Sequence, residues 1–420
     1  MKKVIIIILF LISSYAESSY ILIPMDNNQT NHLKSYGIAF MSLENKVKVD
    51  WLLNYRGGSF LIKHYEKIEK ECIIRNVSYE IIADVQSTNI LNEISSPSIN
   101  QDVIRLEKTP KIAIYSPKYK QPWDDAVTMA LTYAEIPYDV IYDTEVLSGI
   151  LPLYDWLHLH HEDFTGQYAK FYSSFKNTNW YKEQKKIQED LAKNLGFNKV
   201  SEAKLAVAKE IKEFIMGGGF LFAMCSATDS FDIALSIINV DAVHSVFDGS
   251  PIDKNLYSKI DYNNSLAFTN FDIITDPMVY EYSDIDYPQS NNVVVRGAEA
   301  DYFSLFEFSA KYDRVPTMLT QNHVPVIKGF MGQTTGFNRE KIKKHVLIMG
   351  EDRTTPQVKY IHGNHGQGPF TFLGGHDPED YQHFVGDPQT DLSLHQNSPG
   401  YRLILNNILF PAARKKERKT

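Results

Sequence analysis

From Lys111 onward the chain alternates short, near-continuous apolar runs with amphipathic helical stretches, and this alternation limits the fold more than any other feature. Lys111-Ile112-Ala113-Ile114-Tyr115, Tyr138-Asp139-Val140-Ile141-Tyr142, residues 155–160 and Phe220-Leu221-Phe222-Ala223-Met224 read as strands. Between them, Pro122-Trp123-Asp124-Asp125 opens a helix with Ala126, Met129, Ala130 and Tyr133 on one face, and residues 145–150 form a short helix. A longer helix over 201–216 turns Val207, Ile211, Phe214 and Ile215 inward and ends at Gly217-Gly218-Gly219. Strands without a polar face need cover on both sides, which β-α-β crossovers supply. The expected architecture is α/β, a doubly wound parallel sheet with an N-terminal α/β extension and insertions.

Upstream, Tyr20-Ile21-Leu22-Ile23-Pro24 reads as a strand, and Leu33, Tyr36, Gly37 and Phe40 share one helix face. Residues 47–55 and 78–83 read as two more strands, the first closed by the turn Arg56-Gly57-Gly58. Residues 85–108 are polar and rich in serine and asparagine, which predicts a linker. The resulting division is 1–16 as a signal segment, 17–108 as the N-terminal region with its linker, 109–413 as the main domain and 414–420 as a basic tail. Residues 168–200 and 248–345 are expected as insertions. The second carries a strand at Val293-Val294-Val295 and a turn-rich stretch at 329–335, and is expected to act as a lid or a lobe of its own.

The first residues read as an address. Lys2 and Lys3 precede an apolar run from Val4 to Ile12, and Ser13-Ser14-Tyr15-Ala16 supplies small residues before a cleavage point. No run in the chain reaches the ~18 apolar residues that a membrane span requires. The expectation is an exported protein of the periplasm or cell envelope, without a span after cleavage. Losing Lys2 and Lys3 takes the formal charge from −8 to −10, which disfavours nucleic acid as a partner. The two cysteines, Cys72 and Cys225, could pair in an oxidising compartment. The setting of Cys225 instead favours a free thiol with a task.

Cys225 follows an apolar strand at a tight turn, with alanine two residues to either side. Small neighbours suit a nucleophile on a strand-to-helix turn, because the flanking chain passes close. Such a thiol needs a base, and the base needs an orienting group. His376 and the acids Asp377 and Glu379 come just past another apolar strand, Phe370-Thr371-Phe372-Leu373. His160 and His161 also follow a strand. Ligand sites of parallel sheets lie beyond the carboxyl ends of the strands. A helix N-terminus after Cys225 is expected to lower the thiol pKa.

The region from about 110 to 412 resembles the class I glutamine amidotransferase-like fold. Its members carry a cysteine on an elbow of Gly-x-Cys-x-Gly type and His-Pro-Glu after a late strand. Here the elbow is Ala223-Met224-Cys225-Ser226-Ala227, and the histidine motif, His376-Asp377-Pro378-Glu379, is one residue longer. The resemblance implies a flavodoxin-like sheet and Cys-dependent hydrolysis or transfer at a carboxamide-type carbonyl. Cys225 would attack and His376 would shuttle the proton, with Glu379 or Asp377 orienting it. The Ser226 N–H and one from Phe164-Thr165-Gly166 would hold the oxyanion, with His161 and Glu162 beside the substrate.

The whole chain is also similar to exported bacterial proteins commonly labelled asparagine synthetase B. The shared stretches are Ile23-Pro24-Met25-Asp26, Leu53 to Phe60, Gly374 to His383 and Ser398-Pro399-Gly400-Tyr401-Arg402. The Ser-Gly-Gly-Leu-Asp-Ser loop with which glutamine-dependent synthetases hold ATP is not in the sequence. No cofactor is expected.

Two further readings come from other chemistry. With 25 tyrosines and 23 phenylalanines, the same strand-end cleft could bind a glycan or peptide without catalysis. The histidines could assist hydrolysis through a metal, with His161, Glu162, His376 and Asp377 converging, although no segment has a recognised ligand spacing. His362 and His365, and His383 beyond His376, are further candidates. The expected partner is a small-molecule, peptide or glycan ligand.

Overall fold

The structure, a computed structural model, describes residues 19–119, 121–288, 301–381 and 384–413. The expected signal segment, the strand at 293–295, His383 and the basic tail lie outside the described residues. Among the described residues no helix is long and apolar enough to cross a membrane.

Five N-terminal strands form an antiparallel sheet: β1 Ser19–Ile23, β2 Val49–Leu53, β3 Ser59–Lys63, β4 Glu80–Ala83 and β5 Asp102–Leu106, in the order β4-β1-β3-β2-β5. Residues 85–108 are therefore not a linker. They hold the helix Asp84–Ser95 and then β5, which pairs antiparallel with β2. The helix buries Ile94 against Leu22, Leu52 and Leu61 and turns its polar residues to solvent, so composition alone reads as linker. The strand β3 and the helix Glu66–Ile74 are two further elements that the sequence reading passed over.

Ten strands form the second sheet: β6 Ile112–Tyr115, β7 Asp139–Ile141, β8 Trp156–Leu159, β9 Phe220–Met224, β10 Tyr302–Leu305, β11 Val326–Lys328, β12 Phe337–Asn338, β13 Leu347–Glu351, β14 Gln357–His365 and β15 Gly368–Leu373. Its path is β11-β10-β13-β14-β15-β9-β8-β6-β7, with β12 paired to β14. The strands β7, β6, β8, β9 and β15 run parallel, and from β15 to β11 every neighbouring pair is antiparallel. Residues 248–345 thus neither stand apart as a lobe nor simply cover the site. They supply β10, β11 and β12 to the sheet itself.

Alternation along the parallel strands sorts their side chains into two cores, as the pleat requires. Ile112, Ile114, Trp156, Phe220, Phe222 and Met224 face one core, which they share with the N-terminal sheet and the helices His32–Glu44, Ala126–Ala134 and Pro399–Leu409. Ala113, Tyr115, Leu157, Leu159, Leu221 and Ala223 face the other, under Val200–Met216 and Ala227–Ser236. Helices therefore cover both faces, and each fully buried Leu, Ile or Phe contributes about 1.5–3 kcal/mol. The helix Val200–Met216 stops where the glycine triplet begins. Gly218 takes φ +108, and the Gly219 N–H closes on the Phe214 carbonyl.

Candidate active site

The site forms where β6, β8, β9 and β15 end. The strand β9 is buried along its whole length and must turn at once into Ala227–Ser236. Cys225 makes that turn with φ +52, in the left-handed region that a β-carbon disfavours. Strain of this kind costs on the order of 1–3 kcal/mol and persists where the surroundings hold it. One such hold is the Ala227 N–H bonded to the His160 carbonyl at 3.0 Å, which ties the elbow to the end of β8.

Three imidazoles gather around the thiol. His160 and His161 follow β8 and stack with ring centres 4.0 Å apart. His376 follows β15, with its ring centre 4.8 Å from that of His160 and 4.5 Å from that of His161. One ligating atom from each of His160, His161, Cys225 and His376 lies within 4.8 Å of every other. The approach of His376 needs glycine nearby: a β-carbon on Gly332 would sit 2.7 Å from the His376 backbone nitrogen. Gly375 takes φ +96, and a β-carbon there would meet the Phe330 ring at 2.3 Å.

Two adjacent acids serve these rings, and both come from the loop after β6. Asp125 caps Ala126–Ala134 through Oδ1, which accepts from the Val127 and Thr128 N–H groups at 2.8 and 2.9 Å. Its Oδ2 faces His158 Nε2 and His160 Nδ1, each at 3.3 Å. Asp124 takes His376 Nε2 on Oδ1 at 3.4 Å, and its backbone carbonyl meets His161 Nε2 at 2.6 Å. One dipeptide thus steadies four histidines.

The Cys225 thiol donates to the Gln333 carbonyl. Burial pushes it up to about 12, although the Ser226 and Gln333 backbones pull the other way. The expected lowering does not occur, because desolvation outweighs the helix N-terminus and the neighbouring carboxyls of Asp229 and Asp286 oppose a thiolate. Burial also lifts Asp229 to about 7 and holds Asp286 well above the usual carboxylate range. His161 is kept well below 6.5 by burial and then by the charges of His160 and His376. Burial would raise Asp125, but His158 and His160 outweigh it and hold it well below 3.8. Burial lowers His158 in turn.

A cavity of about 60 Å³ opens on the thiol, lined by His161, Cys225, Ser226, Gln333 and His376 with an aromatic wall of Trp123, Phe171 and Tyr280. Two larger cavities, about 450 and 490 Å³, lie elsewhere, one beside Val200–Met216 and one between the N-terminal sheet and residues 305–325. The chemistry-bearing residues line the small one, and we take that as the candidate site.

Cys225, Ser226, His161 and His376 are brought together there. Four other expected residues are not. Asp377 is fully buried and accepts from the Tyr401 hydroxyl at 2.8 Å, Thr390 Oγ1 at 2.6 Å and the Glu379 N–H at 2.9 Å. Glu379 pairs with His395 at 3.1 Å. Glu162 accepts from the Tyr142 hydroxyl at 3.3 Å, among buried tyrosines. Gly166 packs on Ser201, the Thr165 N–H is taken by Asp163 and the Phe164 N–H by Ser230, and none of the three lines the cavity at Cys225. The residues missed are Asp124, Asp125, Gln333 and Tyr280. Asp124 and Asp125 were visible only as a helix opening, and nothing local pointed from Gln333 to Cys225. Cys72 and Cys225 are both free and buried, on different elements, so the disulfide does not form.

No protein-family model matches the chain, and no curated protein does. Among solved structures it is similar to two cytoplasmic proteins of Salmonella typhimurium, STM3548 (TM-score 0.33, 11% identity, 73% of this chain and 100% of the other) and STM1381 (TM-score 0.32, 11% identity, 72% and 100%). It is also similar to Gan42B, a GH42 beta-galactosidase of G. stearothermophilus (TM-score 0.27, 11% identity, 64% of this chain and 28% of the other). These likenesses are too distant to carry an argument about the fold or the activity.

Proposed function

We propose that the chain is an exported cysteine-dependent hydrolase or acyl transferase acting on a carboxamide-type carbonyl, built on a flavodoxin-like layer. The parallel strands support the fold reading. Numbered by their place in the chain, they lie in the order 2-1-3-4-5 across β7-β6-β8-β9-β15. One observation carries the functional reading: Cys225 sits in left-handed backbone between a buried strand and a helix, with His376 beside it and an acid behind His376.

At about 12 the thiol is not a standing nucleophile. It needs a base in the same step, so the mechanism is general-base attack rather than a stored ion pair. His376, held at Nε2 by Asp124, takes the thiol proton at its other ring nitrogen as sulfur bonds to the carbonyl carbon. The carbonyl oxygen gains the electron pair, and the Ser226 N–H beside the sulfur is the donor placed to meet it. Collapse breaks the C–N bond while His376 returns the proton to the leaving amine. Water or a second amine then cleaves the thioester.

The test is labelling with a chloroketone analogue of a carboxamide amino acid, followed by mass mapping. Stoichiometric label on Cys225 that His376→Ala slows by about 10³-fold supports the reading. Label confined to Cys72, or equal rates in both proteins, overturns it.

A further inference from the structure

We propose that His160, His161, Cys225 and His376 form a binding site for one zinc-class divalent cation, which caps the thiol in a resting form of the protein. The cation site stands on the geometry alone, whereas its effect on turnover rests on the cysteine reading above.

The spacing is close to what such an ion requires. Tetrahedral zinc with N and S ligands at about 2.0–2.3 Å sets neighbouring ligand atoms about 3.3–3.8 Å apart. The four atoms here lie within 4.8 Å of one another, so shifts of about 1 Å or less, within the reach of side-chain torsions, would close the shell. Three imidazoles and one thiolate form a borderline-soft set that favours zinc over magnesium or calcium.

An independent observation comes from His160. It is only 2% exposed, and neither of its ring nitrogens has a hydrogen-bond partner among the described residues. A buried imidazole with an unpartnered nitrogen is what a ligand position leaves behind. Of the two nitrogens, Nδ1 lies 3.3 Å from Asp125 Oδ2. His161 repeats the pattern, with Nε2 against the Asp124 carbonyl at 2.6 Å. Metal-binding histidines commonly give one ring N–H to a carboxylate or backbone carbonyl, which fixes the tautomer and directs the other nitrogen's lone pair at the ion. The Asp124-Asp125 dipeptide provides both kinds of acceptor.

A second group, Asp125, His158 and His160, also lies close together. It is the weaker candidate, because it offers three ligands rather than four, and the Asp125 carboxylate already caps a helix through Oδ1. These residues read as the outer support of the first group. Four protein ligands leave no open position, which marks a closed rather than a catalytic site. Binding replaces the S–H bond of Cys225 with an S–metal bond, releases one proton to solvent and ends the contact with Gln333. The thiolate so held cannot attack a carbonyl until the ion leaves.

The test uses the full chain, freed of metal with a chelator and titrated with Co²⁺. The expected result is one equivalent bound, with a thiolate-to-cobalt charge-transfer band and the intense visible bands of a tetrahedral ion, both bleached by one equivalent of Zn²⁺. Cys225→Ser should lose the charge-transfer band. His160→Asn should weaken binding by about 10-fold or more, and Asp125→Ala by 10–100-fold. Far-UV circular dichroism and thermal melting confirm that each variant is folded, and His160→Asn carries the test if Cys225→Ser is not.

A spectrum showing no thiolate band, or a band unchanged in Cys225→Ser, overturns the proposal. Chloroketone labelling separates the two readings. Label on Cys225 of metal-free protein with no cobalt band sinks the metal site and leaves the cysteine reading standing. A cobalt band without any label does the reverse.

Discussion

Two buried polar clusters flank the same parallel strands, and they have been left in different states. In one, the Lys204 ammonium donates to the Tyr115 hydroxyl at 2.9 Å, the Tyr142 hydroxyl at 3.0 Å and Asp143 Oδ1 at 3.0 Å. Its three protons meet three acceptors, and the ammonium nitrogen lies 5.3 Å from the centre of the Tyr115 ring and 4.3 Å from that of Tyr142. In the other, His160 keeps both ring nitrogens without a hydrogen bond among the described residues, Cys225 is held in left-handed backbone, and a cavity opens on the sulfur. Both clusters are largely buried and both are polar, so neither property marks a site. What separates them is completion. A satisfied cluster is a structural joint, whereas an unsatisfied one beside an opening retains capacity for a ligand.

The comparison breaks most visibly at His376 and Lys204. His376→Ala is expected to cost about 10³-fold in Cys225 labelling or turnover, about 4 kcal/mol of barrier, with the urea midpoint little changed. Lys204→Met should do the opposite. It leaves Asp143 buried without its partner and should lower stability by about 3–5 kcal/mol in urea titration, with labelling of the folded fraction unaffected. If Lys204→Met leaves stability intact, completion is not what distinguishes the clusters.

The two acids of the His376 motif sharpen the contrast. Asp377→Asn disturbs a fully buried carboxylate with three donors, and a loss of about 1–3 kcal/mol is expected in the same titration. Its labelling rate should stay normal, and a collapse in rate at wild-type stability would return Asp377 to the site.

The free thiols supply a pH test. Cys72 and Cys225 are both pushed up to about 12 by burial. Raised folded pKa values mean that the folded state holds these protons while the unfolded state sheds them near 9. Their contribution is fully present below pH 9 and is lost as pH rises from there toward 12. Each thiol should contribute about 1.4 kcal/mol of lost stability per pH unit in that window. The difference between wild type and Cys72→Ala, measured from pH 8.5 to 10, isolates one thiol. A flat difference would show that burial does not govern it. The smallest effect is expected from Glu379→Gln, within about 1 kcal/mol, since it breaks only a partly exposed pair with His395.

What could be read from residues alone was local. Near-continuous apolar runs such as Phe220–Met224 announced buried parallel strands, because a strand covered on both faces has little polar side to show. The turn after β9 announced Cys225, because small flanking residues have few other uses there. Helix faces such as Val207, Ile211, Phe214 and Ile215 were legible for the same reason, since periodicity records which side meets the core. Residues 85–108 escaped because a half-buried helix and an edge strand carry too few apolar residues to raise the average.

The convergence of loops was decided only by the tertiary structure. His376 and its acid lie 252 positions apart, and Cys225 and its carbonyl partner 108. Proximity in the chain suggested Asp377 and Glu379 instead. In the fold the Tyr401 and Thr390 hydroxyls claim the first, and His395 claims the second. The pKa of Cys225 followed the same logic, because its surroundings rather than its neighbours in sequence set the cost of charge. Sequence specifies which side chains point out of a strand end, whereas through-space contacts among several strand ends choose their partners.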